Sequence, residues 1–259
     1  LYFPRLKHEF DPGEGQIKLY NNQVFVADNI KEVIPEFLLL LKGCIDCPDL
    51  PLNVSRSFLQ NDGYVKKVSA HITKKVADKL TSLYNTEREN YNVYWDDINP
   101  FVKYGCLKDE KFYEKVQNVI IYKTTDDRYL SLDEYLSDAE ARGHKNEVYY
   151  VTDPVQQGQY IEIFKKQGLE ALLLPALIDN HFISFTETKR TDIKFKRIDS
   201  SIADPLKGEG EGSETLINIF KDAIEDEKLK IEAYPLKADD FPAVLLLDEQ
   251  SRRMQEMMR

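Results

Sequence analysis

The run Leu50-Pro51-Leu52-Asn53-Val54-Ser55-Arg56-Ser57-Phe58-Leu59-Gln60 holds the residues best suited to chemistry in this 259-residue chain. Pro51 stiffens the approach. Ser55 suits a helix N-cap, which puts Arg56 in the first turn. There, unpaired backbone N–H groups and the positive end of the helix dipole favour an anion. Arg56 adds a planar, permanently charged fork matched to phosphate oxygens. Gln60 falls four residues on, along the same helix face, and Asn53 supplies an amide from the loop. The set reads as a terminal-phosphate sensor. A capped helix with a surface Arg in an ion pair is the simpler reading of the same residues.

Other candidates are sparse. Cys44 and Cys47 form a Cys-x-x-Cys, which could be a redox pair or half a zinc site. No second such pair follows, and His8, His71, His144 and His181 show no ligand spacing. Two small residues in a loop is the plainer reading, and no metal is expected. The adjacent acids Asp96-Asp97, Asp126-Asp127 and Asp239-Asp240 read as turns or solvated faces. No Gly-x-Ser-x-Gly, phosphate loop or His-Glu-x-x-His occurs.

The elements that must position Arg56 follow from periodicity. Gln16–Val26 alternates like strand material, with a bend or bulge at Asn21-Asn22. Asp28 or Asn29 can cap a following helix, and Pro35 suits the first turn of a further helix over Glu36–Lys42 that Gly43 ends. After Ser55, Val65, Val68, Ile72, Val76, Leu80 and Leu83 recur at three- and four-residue steps, which predicts one long amphipathic helix. Tyr91, Tyr94, Trp95, Ile98 and Phe101 mark a second helix over Glu87–Tyr104 with an aromatic core face, and Asp109–Val116 a short third. Ser131 with Glu134 is a capping box opening a helix through Ala141. Glu147–Thr152 reads as a strand, Tyr160–Gln167 as a helix closed by Gly168, and Glu170–Leu174 as a buried strand. That succession implies a right-handed crossover and a small parallel sheet. Asp204–Gly212 reads as a linker. Ser213 then caps a helix with Leu216, Phe220, Ala223 and Ile224 on one face, and Leu229–Ala233 and Ala243–Leu247 read as strands.

Composition bounds the answer. Lys and Arg total 35 against 45 Asp and Glu, a net charge of −10, which disfavours general nucleic-acid binding. With 42% hydrophobic residues the chain can form a core. No apolar run approaches the ~20 residues that span a bilayer, so no membrane partner is expected. Three cysteines argue against a disulfide framework and for a reducing, cytoplasmic compartment. The chain opens on Leu1-Tyr2-Phe3-Pro4, as if within a strand, and stops inside a helical pattern at Arg259. It therefore reads as part of a longer protein.

The Leu50–Gln60 run resembles the middle-domain catalytic loop of the heat-shock protein 90 chaperone family, in its bacterial HtpG form. Other stretches are similar and in the same order: Lys18-Leu19-Tyr20 with Val24-Phe25-Val26, Ile34-Pro35-Glu36-Phe37-Leu38 with Lys42-Gly43, Asp49 to Arg56, Ser131-Leu132-Asp133-Glu134-Tyr135, Val148-Tyr149-Tyr150-Val151-Thr152, and Leu169 to Leu174. The match covers about residues 1–200, and continues more weakly into Ser213–Arg259, which resembles the start of a C-terminal domain.

The resemblance implies an α/β fold: a large αβα sandwich with the catalytic loop over 1–86, a helical connector over 87–118, and a smaller αβα domain over 119–200. A linker over 201–212 and a partial α+β C-terminal domain over 213–259 would follow. It implies a dimeric, ATP-driven, stress-responsive chaperone that binds client proteins. ATP with magnesium would be held mainly by an N-terminal domain outside this sequence, and the parent would dimerise through helices beyond it. Arg56 would reach the terminal phosphate, with Gln60 and Asn53 positioning loop or phosphate; the segment alone would hydrolyse nothing. The long helix would start at Ser55 with Arg56 facing solvent. Ser57 stands where the family usually has an acid, Asn22 and Gln23 where it commonly has Arg. The loop Leu6–Gln16 is short, with Phe10 its one aromatic. A non-catalytic interaction scaffold is the alternative.

Overall fold

The computed structural model describes residues 1–2, 17–28, 34–38, 41–48, 62–200, 213–224, 231–233 and 235. They fall into two compact units, residues 1–121 with 176–185 and residues 122–175 with 186–259. The architecture is the expected mixed α/β one.

In the first unit a three-stranded sheet runs in the order β2-β1-β3, with β1 Ile17–Asn21, β2 Val24–Asp28 and β3 Gly43–Asp46. β1 pairs antiparallel with β2 and parallel with β3. The register shifts between Leu19 and Tyr20, the irregularity expected near Asn21-Asn22. The two-residue turn between β1 and β2 holds Asn22 at φ 48° and Gln23 at φ 66°, the left-handed pair that suits a tight hairpin.

The helix expected over Glu36–Lys42 is not formed as such. Glu36–Leu38 makes a single 3-10 turn, and Lys42 pairs with Tyr2 through two backbone bonds of 2.8 and 3.0 Å. Gly43, at φ +131°, starts a strand where it was expected to end a helix; a Cβ there would lie 3.1 Å from the Leu1 backbone. Cys44 accordingly sits in β3, not in a loop.

Three helices cover this sheet's unit: α1 Asp62–Thr86, α2 Arg88–Lys108 and α3 Glu110–Val116. Ile72, Ala77 and Leu80 are buried along α1. On α2, Tyr91, Trp95, Ile98 and Phe101 are buried as expected, whereas Tyr94 is 47% exposed and lies off the core face. α2 runs four residues past the expected end and through Pro100. Proline cannot donate to the Asp96 carbonyl. Asn99 Nδ2 takes over, donating to the carbonyls of Asp96 at 3.1 Å and Trp95 at 3.0 Å. Gly105 lets α2 approach closely, since a Cβ there would meet the Phe37 ring at 2.6 Å and the Phe112 ring at 2.9 Å. Asp109 caps α3 by accepting the Phe112 N–H at 3.1 Å.

The second unit centres on β6 Glu147–Val151, flanked by β7 Leu172–Leu173 and β8 Lys194–Arg197 in a parallel sheet ordered β7-β6-β8. A two-stranded sheet pairs β4 Ile121–Lys123 with β5 Tyr129–Ser131. α4 Leu132–Ala141 starts on the predicted capping box: Glu134 N–H donates to Ser131 Oγ at 3.2 Å, and Ser131 N–H to Glu134 Oε2 at 2.6 Å. α5 Gly158–Lys166 links β6 to β7. α6 Leu177–Lys189 links β7 to β8. Tyr149, Val151, Phe164, Leu169, Ala171 and Ile198 form the core between β6 and α5. α7 Glu214–Ala223 follows, capped by Ser213 as expected, with Leu216, Ile219 and Phe220 exposed. The strand expected over Ala243–Leu247 lies outside the described residues, as does the Asp204–Gly212 linker.

The second unit carries a buried charge. Glu170 is 2% exposed. Arg128 grips it with two nitrogens, Nε at 3.2 Å and Nη2, while Arg142 Nη1 lies 3.5 Å away. Burial acts to raise the Glu170 pKa, but hydrogen bonds from Arg128 and Thr124 win, so the carboxyl titrates below its usual range. A depressed carboxyl pKa stabilises the fold fully above the unfolded-chain value, and that part is lost as pH falls through the folded one. Glu170→Gln should therefore destabilise the second unit by about 2 kcal/mol at pH 7, a figure discounted because Arg128 is partly solvated. The difference between variant and wild type should shrink in acid. Urea melts at pH 7 and in the acid range check this; a difference constant with pH would contradict it.

Candidate functional site

Asn53, Arg56, Gln60 and the neighbouring Ser57 lie outside the described residues, as do the expected helix start at Ser55 and the loop with Phe10. The two ends that anchor the 49–61 segment are described. It leaves from β3 and arrives at α1.

The departure point is held by the β1–β2 hairpin. Cys47 N–H donates to the Tyr20 carbonyl at 2.9 Å, continuing the parallel ladder one residue past β3. Asn21 Nδ2 donates to the carbonyls of Cys47 and Pro48, both at 3.1 Å. Gln23 N–H donates to Asp46 Oδ2 at 3.0 Å. The left-handed turn at Asn22 and Gln23 aims these groups at the strand end. The Asn21 side chain and the Gln23 backbone N–H thus act on the last residues before the candidate loop. Sequence reasoning registered Asn21-Asn22 only as a bend or bulge. The available signal was a side-chain amide next to a tight turn, but its partners lie more than twenty residues away.

The arrival point is the N-terminal part of α1. Its 25 residues make a stiff arm about 37 Å long. Ile72 and Leu80 pin it to the unit. A helix of this length presents the positive end of its dipole toward the segment that precedes it. The segment's own donor set is a guanidinium, two amides and two hydroxyls, and Leu50–Gln60 contains no carboxylate. Such a set fits anionic phosphate oxygens and does not fit a divalent cation, which needs oxygen ligands rich in carboxylate.

The cysteines offer less. Cys44 is exposed on β3 and Cys47 follows it half-buried, so neither sits at a helix N-terminus, where reactive thiolates are made. Cys106 is buried in α2, and burial pushes its thiol well above the ordinary value. Among the described residues no group of three His, Cys, Asp or Glu could hold a metal. No described helix is long and apolar enough to cross a membrane.

The comparisons with known proteins agree with one another. A family model described as Hsp90 protein matches residues 4–245. The chaperone protein HtpG of Bacteroides thetaiotaomicron is 36% identical over 273 residues, covering 99% of this chain and 40% of that protein. HtpG of Porphyromonas gingivalis (strain ATCC 33277) shows the same identity and coverage. HtpG of Legionella pneumophila (strain Lens) is 29% identical, covering 99% of this chain and 42% of that protein. The chain thus spans about two fifths of the length of these relatives. Among solved structures, the middle domain of a Plasmodium falciparum putative heat shock protein matches with a TM-score of 0.54 and 18% identity, over 73% of this chain and 74% of that one. At that identity the likeness concerns the fold.

Proposed function

The chain belongs to the Hsp90 family, and from that premise we propose that it is the middle segment of an ATP-dependent molecular chaperone. The observation that carries the reading is the Asp49–Gln60 run, standing in a chain that matches HtpG chaperones along 99% of its length. The large αβα part over 1–86 presents the loop, 87–118 connects, and the smaller αβα part over 119–200 and the segment from 213 lead toward the dimerising end of the parent. The parent works in the cytoplasm as a homodimer and binds client proteins.

ATP, carried with magnesium by a preceding N-terminal domain, supplies the scissile phosphoanhydride. Arg56 places its guanidinium against the terminal phosphate and stabilises the charge that develops there, in the manner of an arginine finger from another domain of one chain. Asn53 and Gln60 donate amide hydrogens that hold the loop or a phosphate oxygen in place. The hairpin bonds from Asn21 fix where the loop departs, and α1 fixes where it lands. Without the preceding domain the segment binds but does not hydrolyse.

Asn53→Ala and Gln60→Ala, each made in the whole protein, should slow ATP turnover about tenfold, the effect of losing one hydrogen bond to a charged group. ATP affinity should stay nearly constant, because the main nucleotide site is elsewhere. Single-turnover kinetics with a parallel nucleotide titration read both quantities. Unchanged turnover in both variants would remove these amides from the site.

A further inference from the structure

The first unit contains a half-open cavity of about 690 Å³ that the phosphate reading does not use. Its floor is Leu41, Ile45, Ile72, Val76, Leu80 and Leu83, from the β3 side and from α1. The volume lies within the range of small-molecule pockets. Polar groups are confined to the rim. His71, Lys75 and Lys79 stand at four-residue steps on α1, on one face of the helix. All three are exposed and make no hydrogen bond or ion pair with a described residue. One carboxylate, Asp97, lies on the rim from α2. Two lysines over an apolar floor are a local reversal in a chain whose net charge is −10.

We propose that this cavity binds an aliphatic carboxylate, with its alkyl chain along the α1 floor and its head at Lys75 and Lys79. The floor decides against an extended peptide. A peptide would bring an N–H and a C=O per residue against leucine and isoleucine side chains, which offer no hydrogen bond, and each buried unpaired group is costly. An alkyl chain brings none. The rim favours a carboxylate over a neutral hydrocarbon, because only the carboxylate gains attraction from the two ammonium groups. The cavity surface over residues 71–83 follows α1 for about 18 Å, an elongated slot suited to an unbranched chain.

The test is calorimetric titration of the 259-residue chain with decanoate, kept below micelle formation, and separately with decan-1-ol. Decanoate should bind saturably at one site and more tightly than the alcohol. The double variant Lys75→Glu/Lys79→Glu changes only exposed helix positions. It should weaken decanoate at least tenfold and leave decan-1-ol unchanged, with an unaltered circular dichroism spectrum. Val76→Trp, which fills the slot, should weaken both ligands. Absence of saturable decanoate binding would overturn the proposal. So would a double variant that binds decanoate as well as wild type does, or an acidic apolar peptide that binds this site when decanoate does not.

Discussion

Lys103→Met should destabilise the first unit by about 3–5 kcal/mol, because it removes one half of a buried ion pair. Lys103 is 4% exposed and Asp179 2% exposed, and Lys103 Nζ lies 2.5 Å from Asp179 Oδ1. The other carboxylate oxygen accepts the Ala176 N–H at 2.9 Å, at the start of α6. With the ammonium gone, a carboxylate remains in an apolar interior beside Phe182 and Ile183 of the same helix, both buried. Such a charge has no water to turn to, and one backbone N–H does not replace its partner. The double variant Lys103→Met/Asp179→Leu should recover most of the loss, since a hydrophobic pair can fill the space of a buried ion pair. About 1 kcal/mol should remain, the cost of losing the carboxylate that caps Ala176. Trp95, the one tryptophan of the chain, is buried in this unit and reports its unfolding. Urea melts followed by its fluorescence give the three stabilities. If Lys103→Met unfolds at the wild-type midpoint with the same slope, the pair does not hold this unit together.

How much of this was legible beforehand depends on what kind of signal each element carries. α1, α2 and α3 declare themselves by a single buried stripe, and α4 by a capping box whose two bonds are local. β3 did not. Just before it, Phe37-Leu38-Leu39-Leu40-Leu41 is a continuous apolar run between Glu36 and Lys42, with helix-forming residues and no period, so local propensity favours a helix. What ends it is a distant partner, the Tyr2 backbone that pairs with Lys42. β8 was passed over for the opposite reason. Lys-Phe-Lys-Arg looks like a solvated turn, with Phe195 alone to bury. Only part of its charge is answered far away in sequence: Lys196 pairs with Glu147 and Arg197 Nη1 donates to Thr152 Oγ1 at 3.0 Å, while the other Arg197 nitrogens hold Asp199 two residues on. α6 went unread although Ile178, Phe182 and Phe185 recur at i, i+4 and i+7, because polar Asp179 and Thr186 are buried beside them and Ile183 lies off that face.

The candidate site divides in the same way. Arg56, Gln60 and Asn53 could be picked out from residue type and spacing, because a capped helix start with an Arg in the first turn is a local pattern. The grip of Asn21 on Cys47 and Pro48 could not, because it joins a hairpin turn to a strand end across 26 and 27 residues. The Cys-x-x-Cys shows the reverse case, a local pattern that suggested chemistry and instead puts Cys44 exposed on β3 and Cys47 half-buried just past it.

Arg56 carries the central claim. An arginine that meets the transferring phosphate is worth about 10³-fold or more in turnover, since it stabilises charge that exists only in the transition state. On the proposed reading another domain holds the nucleotide, so its contribution to ground-state binding is small by comparison. The direct measurement is ATP turnover by the whole protein that contains this chain, wild type against Arg56→Ala, with ATP affinity determined alongside. The account predicts a loss of turnover on the order of 10³-fold with affinity changed less than about tenfold. Turnover at the wild-type rate would contradict it, and would leave Arg56 as a surface residue at a helix start and this chain as a structural and protein-binding module.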